Sequence, residues 1–161
     1  MALLVAQPLT AAAFAPYGVV VAAAPEPGRI DADDGLANRR PDARLSLTMT
    51  RLAPATCLPL EAMLFERHPF SSQTFLPLAV ARYLVIVAPD APDGGPDGAR
   101  AVAFVGRAGQ GVTYPAGLWH HGMTALDQPA EFAVLMWCDG SAGDEEFVPL
   151  PTPLRVQVPA A

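Results

Sequence analysis

Residues 109–123 read GQGVTYPAGLWHHGM. Pro115 fixes φ and Gly117 tolerates positive φ, so the middle of the stretch is a tight turn. A strand that starts just beyond it sends successive side chains to opposite faces, His120 to one and His121 to the other. These are two of only three histidines in 161 residues. The third, His68, stands in a second unusual run, FERHPFSSQTFLPL at residues 65–78. There Glu66 and His68 share one strand face, Arg67 points away, and Gln73 lies across the turn written PFSS. A lone His-Pro or His-His pair is more often structural than functional. Both segments together, holding all the histidine in the chain, point to one shared site in the mouth of a small β-barrel.

Composition narrows the alternatives. The chain is long enough to bury a core as one domain over residues 1–161 without disulfide staples. Eighteen prolines and thirteen glycines disfavour a helical bundle and favour short strands joined by turns. No lysine is present, which excludes Schiff-base chemistry on lysine and a phosphate-binding P-loop. A net charge of −6 without a basic cluster argues against nucleic acid as a partner. Cys57 and Cys138 are far apart and read as thiols of a reduced compartment. The apolar N-terminus has no positive leading region and is interrupted by Pro8 and Pro16-Tyr17-Gly18, unlike a secretory signal. No stretch has the length of an apolar membrane span. The expectation is a soluble cytoplasmic protein acting on a small molecule.

Strand signals recur along the chain. Residues 9–14 suit one helical turn with Thr10 as N-cap, and 17–24 read as a valine-rich strand. Residues 25–43 are polar and turn-forming, a long loop or lid. Residues 44–52, RLSLTMTRL, alternate with period two, as a half-buried strand does. Residues 83–89 form a continuous β-branched run, a strand buried on both faces. Residues 100–106 return antiparallel, 131–140 form another buried strand, and 154–159 a late one. With no helix beyond two turns, the chain is all-β: a cupin-type jelly roll or antiparallel barrel with short helical turns.

The cupin resemblance rests on the spacing of Gly109, Pro115, Gly117 and His120, which is similar to the second cupin motif. The first motif, His-x-His then Glu, corresponds to Glu66, His68 and Gln73. By that resemblance Glu66, His68, Gln73 and His120 form a four-ligand metal site with oxygen-rich ligation. Such a set suits a divalent first-row ion, nickel or manganese. Gln73, being neutral, is the weakest of the four and serves equally to bind substrate.

FERHPFSSQTFLPL and GQGVTYPAGLWHHGM together resemble the ureidoglycolate lyases of allantoin degradation. The opening PLTAAAFAPYGVVV and the strand bearing TRLAP at residues 50–54 are also similar to that family. The resemblance implies a cupin barrel, a homodimer, and cleavage of ureidoglycolate into glyoxylate and urea. It implies that His68 and His120 ligate metal or act as base, with Glu66 as acidic partner. Gln73 and Tyr114 would orient the ureido group, and Arg51 would clamp the carboxylate as a bidentate donor. His121 would bind substrate more remotely or lie at an interface. Three departures stand out. VLMWCDG replaces an Asp-Arg pair after the penultimate strand, DADDGLANRR replaces an Asn-x-Gly loop, and Gly122 replaces a proline. Two rival readings are another cupin enzyme, a hydrolase or dioxygenase on a small acid, and a ligand-binding cupin without catalysis.

Overall fold

The computed structural model describes residues 3–160. In chain order its strands are β1 (Leu3–Val5), β2 (Gln7–Pro8), β3 (Val19–Val21), β4 (Arg44–Leu52), β5 (Leu60–Arg67), β6 (Gln73–Ala79) and β7 (Arg82–Ala88). There follow β8 (Val102–Arg107), β9 (Gly111–Tyr114), β10 (Trp119–His120), β11 (Thr124–Leu126), β12 (Ala130–Cys138) and β13 (Glu146–Gln157). The single α-helical turn among the described residues, α1 (Ala11–Phe14), is capped as expected: the Thr10 side chain accepts from the Ala13 N–H.

Two sheets divide these strands. One runs β1-β13-β5-β10-β7-β8-β2, with β11 attached to β7; the other runs β3-β9-β6-β12-β4. Most pairs are antiparallel, but β1 lies parallel to β13 and β2 parallel to β8. Because β1 and β2 are separated only by Ala6, the larger sheet begins and ends on one stretch of chain and curls into a near-closed barrel. This is the cupin-type β-barrel that the sequence leads one to expect.

The strand β7 explains how two cores form. Its even positions, Leu84, Ile86 and Ala88, pack with Phe65, Trp119 and Val156 inside the curl of the larger sheet. Its odd positions, Tyr83, Val85 and Val87, pack with Phe14, Phe104, Tyr114 and Phe132 between the two sheets. An unbroken apolar run from Tyr83 to Ala88 is what such double burial demands, and Leu84, Val85, Ile86 and Val87 each gain roughly 1.5–3 kcal/mol from leaving water.

Three segments differ from the sequence reading. The strand expected over residues 17–24 is confined to β3 (Val19–Val21), and Tyr17 and the alanines that follow Val21 fall outside it. The last is far longer than residues 154–159, although it contains Pro149, Pro151 and Pro153. Pro151 and Pro153 fall where its pairing with β5 breaks register, between Pro149 and Leu154, so no ladder donor is needed there, and Pro149 stands at the last paired position before the break. Finally, β4 alternates as expected, but with its apolar side outward. Ser46 and Thr50 are half-buried, while Leu45, Leu47 and Met49 are exposed. The cause is register: β4 pairs with β12 so that Thr48 and Thr50 stand opposite Val134 and Phe132, the inward residues of that strand.

Gly106 is required by Tyr83, its direct partner across β7 and β8. A Cβ at 106 would lie 2.2 Å from the Tyr83 ring carbon Cζ. The ring cannot retreat, since Tyr83 is fully buried and its hydroxyl donates to the Gln110 carbonyl. Gly106→Ala is expected to destabilise the fold by about 1–3 kcal/mol. The double variant Gly106→Ala, Tyr83→Leu should recover part of that loss in urea denaturation, because the clash is then removed.

Candidate active site

Both sheets contribute to one buried cluster. Glu66 comes from β5 and His120 from β10, paired neighbours in the larger sheet. Gln73 opens β6 and Tyr114 closes β9, and these two are paired neighbours in the smaller one. His68 lies one residue beyond β5, where the chain crosses between sheets. Its carbonyl accepts the Gly117 N–H at 2.9 Å, which ties the two histidine segments together. Gly117 has φ +91°, as the tight turn requires.

The ring orientations follow from backbone hydrogen bonds. His68 Nδ1 lies 3.0 Å from the Asp144 carbonyl, and His120 Nδ1 lies 3.0 Å from the Leu118 carbonyl. A carbonyl oxygen only accepts, so each Nδ1 carries the proton and each Nε2 presents a lone pair. Those lone pairs meet the Glu66 carboxylate: His120 Nε2 is 3.3 Å from Glu66 Oε1. The ligand atoms of Glu66, His68 and His120 all lie within 4.8 Å of one another, a cluster able to hold a metal ion.

Around this trio the polar groups are buried and unpartnered. His68 Nε2, His120 Nε2, Gln73 Oε1 and the Tyr114 hydroxyl have no hydrogen-bond partner, although all four residues are at least nine-tenths buried. Native interiors rarely leave polar atoms so. Burial opposes the Glu66 charge, and the carboxyl falls below its usual range only where a neighbouring imidazole carries a proton toward it. Burial holds the His68 imidazole below its usual value, and burial pushes the Tyr114 phenol far up, so it remains a hydroxyl donor. The site is therefore three lone-pair groups and one carboxylate charge, without a positive group inside to balance them.

Other expected site residues are placed elsewhere. Arg51 lies on the outer face of β4, largely exposed, with its guanidinium 2.6 Å from Glu131. His121 takes the face opposite His120, as alternation requires, and its Nδ1 meets the Leu64 carbonyl at 2.8 Å. Arg67 turns outward over the Trp119 ring, 4.3 Å from its centroid.

The chain matches the ureidoglycolate lyase family model over residues 1–157. It belongs to the ureidoglycolate lyase family. It is 39% identical over 141 residues to the ureidoglycolate lyase of Brucella abortus, covering 82% of this chain and 81% of that one. With the ureidoglycolate lyase of Schizosaccharomyces pombe it shares 33% identity over 166 aligned positions, 87% of each chain. Among solved structures, a dTDP sugar isomerase from Desulfovibrio desulfuricans G20 superposes with a TM-score of 0.52 at 17% identity over 83% of each chain. That likeness concerns the fold alone.

Two segments distant in the sequence are in contact beside the cluster. Arg40, from the replaced loop, pairs with Asp139 at 2.8 Å and with Asp144, both in the turn after β12. Neither Arg40 nor Asp144 stands out in the sequence as a site residue.

An unpartnered buried hydroxyl is a stability cost held for another purpose. Tyr114→Phe is expected to leave the ligand-free protein as stable or up to about 1 kcal/mol more stable in denaturant unfolding. The same substitution should slow turnover of the substrate by about tenfold.

Proposed function

We propose that residues 1–161 form one catalytic domain, a ureidoglycolate lyase releasing urea and glyoxylate, assisted by a divalent metal, nickel or manganese. The observation that carries this reading is the convergence of the unpartnered buried atoms of His68, His120, Gln73 and Tyr114 beside the Glu66 carboxylate. Two neutral imidazoles and a carboxylate fit a dipositive first-row ion, with Gln73 Oε1 as a fourth, weaker oxygen. When bound, the ion supplies the positive charge that the substrate carboxylate needs and lowers the pKa of its hydroxyl. Arg51 is ill placed to provide that charge, since its guanidinium is engaged by Glu131 on the outer face.

The substrate carbon bears a hydroxyl, a carboxylate and a ureido nitrogen. Its collapse moves the O–H electron pair into a carbonyl while the carbon–nitrogen bond breaks and the nitrogen gains a proton. Glu66, as a carboxylate, takes the hydroxyl proton and returns it to the departing nitrogen. His68 and His120 hold their Nε2 atoms toward the reacting oxygens because their Nδ1 protons are committed to carbonyls. Gln73 Oε1 accepts from a ureido N–H, and the Tyr114 hydroxyl donates to the ureido carbonyl. Burial of the cluster excludes water, which strengthens each of these contacts.

The purified protein, given racemic ureidoglycolate, is expected to release urea and glyoxylate in equal amounts and to stop after chelation, with nickel or manganese restoring it. His120→Ala should lower the rate about 100-fold or more. Full activity in His120→Ala would sink this assignment, and activity that survives exhaustive chelation would remove the metal.

The working unit is a homodimer in this reading. The edge strand β4 offers one unpaired backbone edge and an outward row of Leu45, Leu47 and Met49, between 57% and 68% exposed. An edge of this kind is a hazard in a free monomer, whereas the same element on a second copy meets it across a two-fold axis in a closed contact. Leu47→Asp is expected to give a monomer by light scattering with the circular dichroism of the native protein.

A further inference from the structure

Adjacent arginines ahead of β4 have different fates. Arg39 is exposed at the rim, whereas the Arg40 side chain is only 16% exposed. We infer that Arg40 is a positioning residue: it holds the 139–144 turn where the Asp144 carbonyl fixes the ring of His68. This deepens the reading of the cluster as a lyase centre and rests on it for its functional meaning.

The chain of contacts is continuous. One terminal nitrogen of Arg40 lies 2.8 Å from Asp139 Oδ2 and 3.2 Å from Ser141 Oγ, while the other pairs with Asp144 Oδ1. The Asp144 carboxylate also accepts the N–H groups of Asp139 at 3.1 Å and Gly140 at 2.8 Å. The turn is thus closed upon the same carboxylate that Arg40 grips. The carbonyl of Asp144 then accepts from His68 Nδ1 at 3.0 Å.

The near end of the chain is anchored as well. The Arg40 guanidinium stacks 5.2 Å from the Phe70 ring centroid, two residues from His68. The backbone just ahead of it is pinned to that same crossing: Arg39 N–H to the Phe70 carbonyl at 2.8 Å, Ser72 N–H to the Ala37 carbonyl at 2.9 Å. Three segments meet at one guanidinium, and two carboxylates neutralise it. Arg40 is therefore spent on holding the turn and is not a free clamp for a substrate anion.

The two histidines differ in how they are held. His120 is oriented by Leu118, two residues away in its own turn. His68 is oriented by a residue 76 positions distant in a loop whose place depends on Arg40. Without Arg40, Asp139 and Asp144 lose their counter-charge, the turn relaxes, and the carbonyl leaves His68 Nδ1. The His68 proton is then free to move to Nε2, which removes the lone pair the cluster needs.

The test is NMR of metal-free protein carrying 15N-labelled histidine, which reads the protonated nitrogen of each ring. In the native chain both His68 and His120 are expected as Nδ1–H tautomers. In Arg40→Gln, His68 is expected to lose that single state while His120 keeps it. Manganese(II) affinity by calorimetry should fall about 10–100-fold. Arg40→Lys keeps the charge without the fork and should recover only part of the loss. A folded Arg40→Gln with an unchanged His68 tautomer and native manganese affinity overturns the inference, and so does a change in both histidines together. Should Arg40→Gln not fold, Asp139→Asn removes one of the two anchors. It should shift His68 alone, and an unmoved His68 in that variant overturns the inference equally. The tautomer measurement needs neither metal nor substrate. A native chain that bound no manganese and released no urea would therefore end the lyase reading while Arg40 was still decided on the histidine spectra.

Discussion

Two hydrogen bonds from imidazole to backbone carbonyl set the character of the whole site. Because the carbonyls of Asp144 and Leu118 accept from Nδ1, His68 and His120 turn their lone pairs inward. Beside the Glu66 carboxylate this leaves an interior of acceptors. Such a group of atoms repels itself unless something positive or proton-bearing lies among them. The local arrangement is unfavourable for the empty protein, and the surrounding architecture has to enforce it. It does so by drawing each member from a different strand: Glu66 from β5, Gln73 from β6, Tyr114 from β9 and His120 from β10. None can retreat without disturbing a ladder.

The double burial of β7 supplies that enforcement. A strand that serves both cores cannot slip register by one residue without exchanging Leu84, Ile86 and Ala88 for Tyr83, Val85 and Val87. Its neighbour β10 is only two residues long, yet it is fixed on both sides, by β5 at Glu66 and by β7 at Val87. His120 thus inherits its place from a strand buried on both faces. The same rigidity makes the Tyr83–Gly106 contact unforgiving although it is remote from the chemistry.

Much of this was legible in the sequence because it depends on local rules. Pro115 and Gly117 announce a turn, period two places Glu66 and His68 together, and continuous apolar character marks β7. What was not legible depends on long-range pairing. The alternation of RLSLTMTRL is plain, but which face turns inward is settled by the register with β12, seen only in three dimensions. The three prolines of β13 conceal a strand: Pro151 and Pro153 stand where its ladder is interrupted, and Pro149 at the edge of that break. Arg51 matches a family position in the sequence, while in the fold it lies on the outer face of the sheet beside Glu131. Arg40 is the converse case: nothing in its neighbourhood marks it, and its partners are about a hundred residues away.

The pairing of Arg40 with the turn after β12 has a physical logic. A turn that carries Asp139 and Asp144 close together is electrostatically strained unless a cation joins it. This chain has no arginine directly after Asp139, where the family resemblance leads one to look for it. Arg40 reaches the same point from the other side, and both carboxyl groups are held below their usual range, with the guanidinium among the causes. The charge that Arg40 supplies holds the turn, and with the turn the carbonyl that orients His68.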